Sequence, residues 1–284
     1  MMKMFGRMAI AMSLLLLVLG GAGACGGSVR DKSGYRGGSA GGNLEYSVSA
    51  AENYELGMKK LGNEDWLDAI RFFNFVKARF PYSKYAVLAD LRLADAAFGA
   101  SSYLEAIDQY RLFIKFHPTH DMVESGYASF RIGEAYYHLL PDDWFLLPPA
   151  FEKDMTSTMD AQRELDGFIK KFPRSEYIPK AKELYQKVSH LLASHEWYVA
   201  KFYYDRDLPM GAVLRLRTLL KKYPDAGFDE DAMWLLAQAY VKVSRPDDAR
   251  KTYENLLEKF PKSSHADAAR REIERLGKVA AKPS

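Results

Sequence analysis

His117 and His120, three positions apart in KFHPTHD, are close enough in sequence to share a metal ion. Such a site needs a third ligand, or the HExxH spacing that sets two imidazoles on one helix face, and neither accompanies them. His190 and His195 lie five positions apart, with Glu196 beside the second as a carboxylate able to orient an imidazole. No placed nucleophile or oxyanion-binding group joins them, so they read as structural histidines. The run Asp229, Glu230, Asp231 lacks the remaining ligands of a calcium loop and fits the charge favoured at a helix N-terminus. Acidic residues elsewhere recur on amphipathic segments, where pairs of carboxylates arise without chemistry. The reading is a non-enzyme with no catalytic residue, no metal and no cofactor other than a covalent lipid.

That lipid concerns the single cysteine, Cys25, among 284 residues. Lys3 and Arg7 precede the apolar stretch AIAMSLLLLVLG, and GAGAC follows, the layout of an export signal. The stretch is too short to span a bilayer, which takes about 20 apolar residues. Leu19, Ala22, Gly23, Ala24 and Cys25 resemble a bacterial lipoprotein signal, with Ala22 standing where that pattern has leucine. The resemblance implies cleavage after residue 24 and acylation of Cys25, and glycine at position 26 implies sorting to the outer membrane. Lipidation would also consume a thiol otherwise open to pairing in an oxidising compartment.

Residues 26–43, GGSVRDKSGYRGGSAGGN, are rich in glycine and serine and read as a tether. Their glycines follow no predicted strand, so they form no phosphate-binding loop. Three segments result: a signal over 1–24, a lipidated cysteine and tether over 25–44, and a folded domain over 45–284. The formal charge of +3 falls near +1 once Lys3 and Arg7 are removed, which argues against nucleic acid as a partner.

From about Asn43 apolar residues recur at helical intervals, as in Ala232, Leu235, Leu236, Ala239, Tyr240 and Val243, which predicts an all-α body. A longer period overlies the helical one. Ala69 to Pro81, Ala106 to Pro118, Ala161 to Pro173, Ala212 to Pro224 and Ala249 to Pro261 share one twelve-residue separation. Four residues after each alanine stands Phe73, Tyr110, Leu165, Leu216 or Tyr253, and before each proline stands Phe80, His117, Phe172, Tyr223 or Phe260. Twelve residues before four of the alanines stand Gly57, Ala94, Ala200 and Ala237, with Gly133 in that role for the third unit. Small residues permit close helix approach, the large residue fills the gap, and proline stops the second helix.

The pattern is tetratricopeptide-like. It predicts five helix pairs in a right-handed superhelix, closed by a C-terminal capping helix bearing Ala266, Ala269, Ile273 and Leu276. Two departures are expected: LLPDDWFLLPPAFEKDM inserted within the third pair, and a long first helix in the fourth, from about Glu176 to Tyr204. Arg270, Arg271, Arg275 and Lys278 on the last helix read as its solvated face.

Beyond these repeats, FPYSKYAVLADLRLADAAF, YRLFIKFHPTHDMVESGYASFRIGEAYY and FPRSEYIPKAKELYQKVSHLLASHEWYVAKFYYDR resemble the outer-membrane β-barrel assembly lipoproteins of the BamD (ComL) family over about residues 45–262. The resemblance implies a scaffold lipid-anchored at the periplasmic face of the outer membrane. Its partners would be the central β-barrel insertion protein, other assembly subunits and unfolded outer-membrane protein segments. It further implies that the early repeats receive clients, with Phe80, Tyr82, Tyr85, Tyr103 and Tyr110 as contacts. Arg215 matches a family contact arginine in GAVLRLRTLLKKYP, with Arg217 as its fallback, either able to fork onto a partner carboxylate. The insertion departs from the family pattern, and its Trp144, Phe145, Leu146 and Leu147 read either as an extra docking loop or as a loop tucked against the chain's own repeats. The rival reading is another periplasmic tetratricopeptide scaffold, serving cell-envelope synthesis, secretion or pilus assembly.

Overall fold

Each alanine-to-proline unit forms the second helix of a pair. The computed structural model describes residues 44–141 and 149–280. Cys25, the signal and tether, and Trp144, Phe145, Leu146 and Leu147 therefore lie outside the described residues. The pairs are α1 (Ala50–Gly62) with α2 (Trp66–Arg79), α3 (Lys84–Gly99) with α4 (Tyr103–Phe116), and, after the short α5 (Asp121–Glu124), α6 (Tyr127–His138) with α7 (Thr156–Lys171). Then come α8 (Ile178–Asp205) with α9 (Pro209–Lys222), α10 (Asp229–Lys242) with α11 (Pro246–Lys259), and the final α12 (Ala266–Ala280). The second helix of each pair packs on the first helix of the next, and α11 packs on α12, so the pairs stack as a tetratricopeptide-like array.

The spacing in the sequence is a packing rule in the fold. Ala69, Ala106, Ala161, Ala212 and Ala249 are fully buried, and so are Phe73, Tyr110, Leu165, Leu216 and Tyr253 four positions on. The small residue of the first helix faces that bulky residue. A Cβ on Gly57 would come within 2.7 Å of Phe73 Cε1, and one on Gly133 within 2.8 Å of Leu165 Cδ2. Ala94, Ala200 and Ala237 hold the equivalent slots without exposure. The third unit thus keeps its crossing point although its proline-side spacing is broken by the insertion.

Two kinds of turn join the helices. At the prolines, Phe80, His117, Phe172, Tyr223 and Phe260 cap the second helices with φ between −129° and −122° and ψ between 52° and 66°. A residue before proline is barred from continuing the α conformation, which ends every second helix in the same way. Within the pairs, Glu64, Ser101, Asp207 and Ser244 adopt φ of 55° to 61°. The amide after each reaches back five residues: Asp65 to the Lys60 carbonyl, Ser102 to Ala97, Leu208 to Tyr203 and Arg245 to Tyr240, all at 2.9 Å. These are Schellman turns built on residues other than glycine.

The insertion separates α6 from α7 as expected, and its last part folds back onto α8. A single 3₁₀ turn over Ala150–Glu152 buries Ala150 and brings the Phe151 carbonyl to His195 Nδ1 at 2.6 Å. Helix α8 has 28 residues, about 42 Å at 1.5 Å per residue. The short α5 was not expected from periodicity; His120 caps it, its Nδ1 accepting from the Met122 amide. In α12, Ala266, Ala269 and Leu276 are buried and Ile273 packs beside them, which closes the core of the last pair.

Candidate functional site

The histidines are engaged in structure. His117 Nε2 lies 3.3 Å from Asp90 Oδ2, which shares the carboxylate with Lys77. His190 Nδ1 meets the Ala226 carbonyl at 2.8 Å, while His195 holds Phe151. Among the described residues no group of three or more His, Cys, Asp or Glu is placed to hold a metal. The acidic trio opens α10 as expected. Glu230 accepts from the Ser263 hydroxyl at 2.6 Å and Asp231 from His265 at 2.9 Å, tying the start of α10 to the turn before α12.

What the first three repeats share is a buried polar ladder. Tyr110 and Tyr127 both donate to Asp95 Oδ1, at 2.6 and 2.7 Å, and Arg92 donates to Asp95 Oδ2 at 2.6 Å. Arg92 Nε reaches the Tyr54 hydroxyl at 3.4 Å, and Arg131 donates to the Tyr110 oxygen at 3.2 Å and to Glu134 at 2.7 Å. The Arg131 guanidinium also lies 3.5 Å from the centre of the Phe98 ring. Burial, and then the Asp95 carboxylate, push the Tyr110 and Tyr127 phenols above the usual tyrosine range, so both remain donors at neutral pH. Burial pulls the Arg92 and Arg131 guanidiniums down, but their hydrogen bonds and neighbouring carboxylates raise both on balance. A buried carboxylate with three donors in place is satisfied, and loss of one donor would leave it costly. The ladder links α1, α3, α4 and α6 into one rigid unit.

The five aromatic residues expected to meet clients do not form one surface. Tyr110 is fully buried inside this ladder and offers nothing to a client, a correction that follows from its own slot four residues after Ala106. Phe80 is half-buried against Phe75, Tyr85 packs on Tyr54, and Tyr103 stacks on His138 with centroids 4.9 Å apart. Tyr82 alone of the five is fully exposed.

On α9, Arg215 lies against α8. Its Nη1 reaches both Glu196 oxygens, at 3.3 and 3.4 Å. Glu196 is nearly buried while Arg215 stays about 42% exposed, so the pair steadies the arginine and leaves the rest of its fork open. Arg217 is exposed, with no ion pair among the described residues. Nearby on the same helix Met210 and Leu214 are also exposed, giving the face apolar and cationic character together. The sequence placed Arg215 here, but not its Glu196 partner 19 residues away on the preceding helix.

Comparison with known proteins agrees with this architecture. The family described as YfiO, outer membrane lipoprotein, matches residues 47–255, from the residues before α1 into α11. The outer membrane protein assembly factor BamD of Pasteurella multocida is 29% identical over 206 residues, 71% of this chain and 77% of that protein. The BamD of Neisseria gonorrhoeae is 24% identical over 221 residues, 76% of this chain and 80% of its own length. That of Caulobacter vibrioides is 22% identical over 263 residues, 92% and 79%. A match that runs through four helix pairs and into the second helix of the fifth, including the pair opened by the insertion, shows that the chain belongs to the YfiO family of outer membrane lipoproteins.

Proposed function

We propose that this chain is a non-enzymatic scaffold lipoprotein of outer-membrane β-barrel assembly, held at the periplasmic face of the outer membrane. It binds the central barrel-insertion protein and helps receive unfolded outer-membrane protein segments. The observation that carries this reading is the family match over residues 47–255, borne on an uninterrupted stack of helix pairs. Such a stack presents many side chains to a partner from a rigid frame and needs no catalytic group. Arg215 is the proposed contact to the insertion protein, oriented by Glu196 and able to take a partner carboxylate on its free edge, with Arg217 beside it. Tyr82, exposed at the turn between the first two pairs, is the proposed client contact that best fits its surroundings. Cys25 is the proposed site of the lipid anchor.

Co-purification after mild membrane solubilisation tests the reading. The insertion protein should be recovered with the wild-type chain and reduced at least tenfold with Arg215→Glu, at unchanged helix content. Recovery of a different envelope complex in place of the insertion protein would overturn it. Mass spectrometry of the mature N-terminus tests the anchor, and an unmodified Cys25 would remove it.

A further inference from the structure

The C-terminal half of α8 carries an aromatic stripe that, among the described residues, is bordered by two loops rather than by another helix. Trp197, Tyr198, Phe202 and the cations Lys201 and Arg206 recur at offsets of three and four residues, which sets them along one helix face. They line a groove of about 520 Å³, walled by Phe151 from the 3₁₀ turn and Phe228 from the loop before α10. Tyr198 is 38% and Phe202 41% exposed, and together they form one contiguous apolar patch on the groove. The stripe runs about 14 Å along the helix, from Trp197 to Arg206 at 1.5 Å per residue. That length accepts two to three turns of a partner helix.

The charges indicate what lies there. Nearby Arg215 and Lys242 are paired with Glu196 and Asp207, but Lys201 and Arg206 have no carboxylate partner among the described residues. Each instead rests near a ring of the stripe, Arg206 3.6 Å from the Phe202 centre and Lys201 6.0 Å from that of Trp197. A cation lying over an aromatic face keeps its charge available to an incoming anion while its stem adds apolar contact. Among the described residues lining the groove Asp205 is the one carboxylate, against Lys201 and Arg206.

We propose that this groove docks an acidic amphipathic helix of a partner protein, its apolar side chains seated among Trp197, Tyr198 and Phe202 and its carboxylates on Lys201 and Arg206. Neither Arg215 nor Glu196 lines this groove. Helix-in-groove recognition places apolar anchors at i, i+3, i+4 and i+7, the same spacing the stripe presents.

The test uses the full chain carrying Cys25→Ser, so that vesicle binding is independent of any lipid on the protein. The probe is a fluorescein-labelled, end-capped peptide of about 14 residues with Leu and Phe at i, i+3, i+4 and i+7 and glutamate flanking them. Fluorescence anisotropy should show binding that weakens at least tenfold with Lys201→Glu/Arg206→Glu and with Phe202→Ser, at unchanged circular dichroism. The same peptide with lysine in place of glutamate should bind at least tenfold more weakly. Equal affinity for the acidic and basic peptides, or no effect of the double substitution, would overturn the proposal. So would phosphatidylglycerol vesicle binding lost with that double substitution, which would make the occupant a lipid surface. Binding that emerges only after deletion of residues 142–148 would overturn it in favour of the chain's own insertion.

Discussion

The Tyr110 hydroxyl and the Asp95 carboxylate meet at 2.6 Å across the interface of α3 and α4, where Tyr110 is fully buried and Asp95 nearly so. Tyr110→Phe keeps the ring that fills the gap beside Ala94 and removes one donor from Asp95 and one acceptor from Arg131. A lost hydrogen bond to a buried charge costs about 1.5–3 kcal/mol. Urea denaturation should show that loss with an unchanged m-value, and a change below about 0.5 kcal/mol would mean that the ladder contributes little.

The same pair predicts an alkaline limit. The Tyr110 phenol is raised well above its ordinary value of 10.0 by burial and by Asp95. The folded chain holds this proton more tightly than the unfolded one. Its contribution is therefore fully present below pH 10 and is lost as pH rises through the folded value. Stability measured from pH 8 upward should be flat to about pH 10 and then fall, with a shallower fall in Tyr110→Phe. Identical slopes in the two proteins would contradict the assignment.

Glycine should prove indispensable in one helix and replaceable in another. Gly57→Ala places a methyl group against the fully buried Phe73 ring, which has nowhere to move, and should cost about 1–3 kcal/mol. Gly167→Ala, on the exposed face of α7 with nothing within 4 Å, should gain about 0.5–1 kcal/mol from backbone entropy. Thermal melts of the two variants should move in opposite directions.

Ser244 holds the left-handed turn between α10 and α11 at φ 58°. Ser244→Gly should stabilise by a few tenths of a kcal/mol to about 1, since the relieved strain is partly offset by the freer unfolded chain. Ser244→Val should destabilise by more than about 1 kcal/mol, because a β-branched side chain is hardest to place there. Equal melting temperatures for the two would show that the turn is not strained.

The stacking plan was legible because it repeats: Ala106 and Tyr110 mean little alone, but five units of alanine, bulky residue and proline leave one packing solution. The same logic, applied to Tyr110 itself, already placed it in the core, and grouping it with client contacts overlooked its register. The bounds of the insertion were legible too, since Gly133 and Ala161 fix both sides of the gap. The polar ladder was not. Nothing in the spacing of Arg92, Asp95, Tyr127 and Arg131 ties them together, and only stacking brings Tyr54 to Arg92, 38 residues on. The aromatic groove was not legible either: Trp197, Tyr198 and Phe202 are close together in HEWYVAKFYY, but the groove's walls come from Phe151 and Phe228, on two separate loops.

The two kinds of turn sort the loops of this protein onto opposite margins. Every proline cap lies where a second helix hands over to the next pair, at a junction whose angle sets the stacking. Every Schellman turn lies at the other margin, where a helix only doubles back on its own partner. The third pair shows what that margin tolerates, since 17 residues separate α6 from α7 while Gly133 still meets Leu165. A fluorescent tag or affinity epitope spliced at Ser101–Ser102 or Ser244–Arg245 should therefore leave the array intact, whereas the same insert beside Pro118 or Pro224 would splay neighbouring pairs. The molecule has, in effect, one seam that can be opened for labelling and one that cannot.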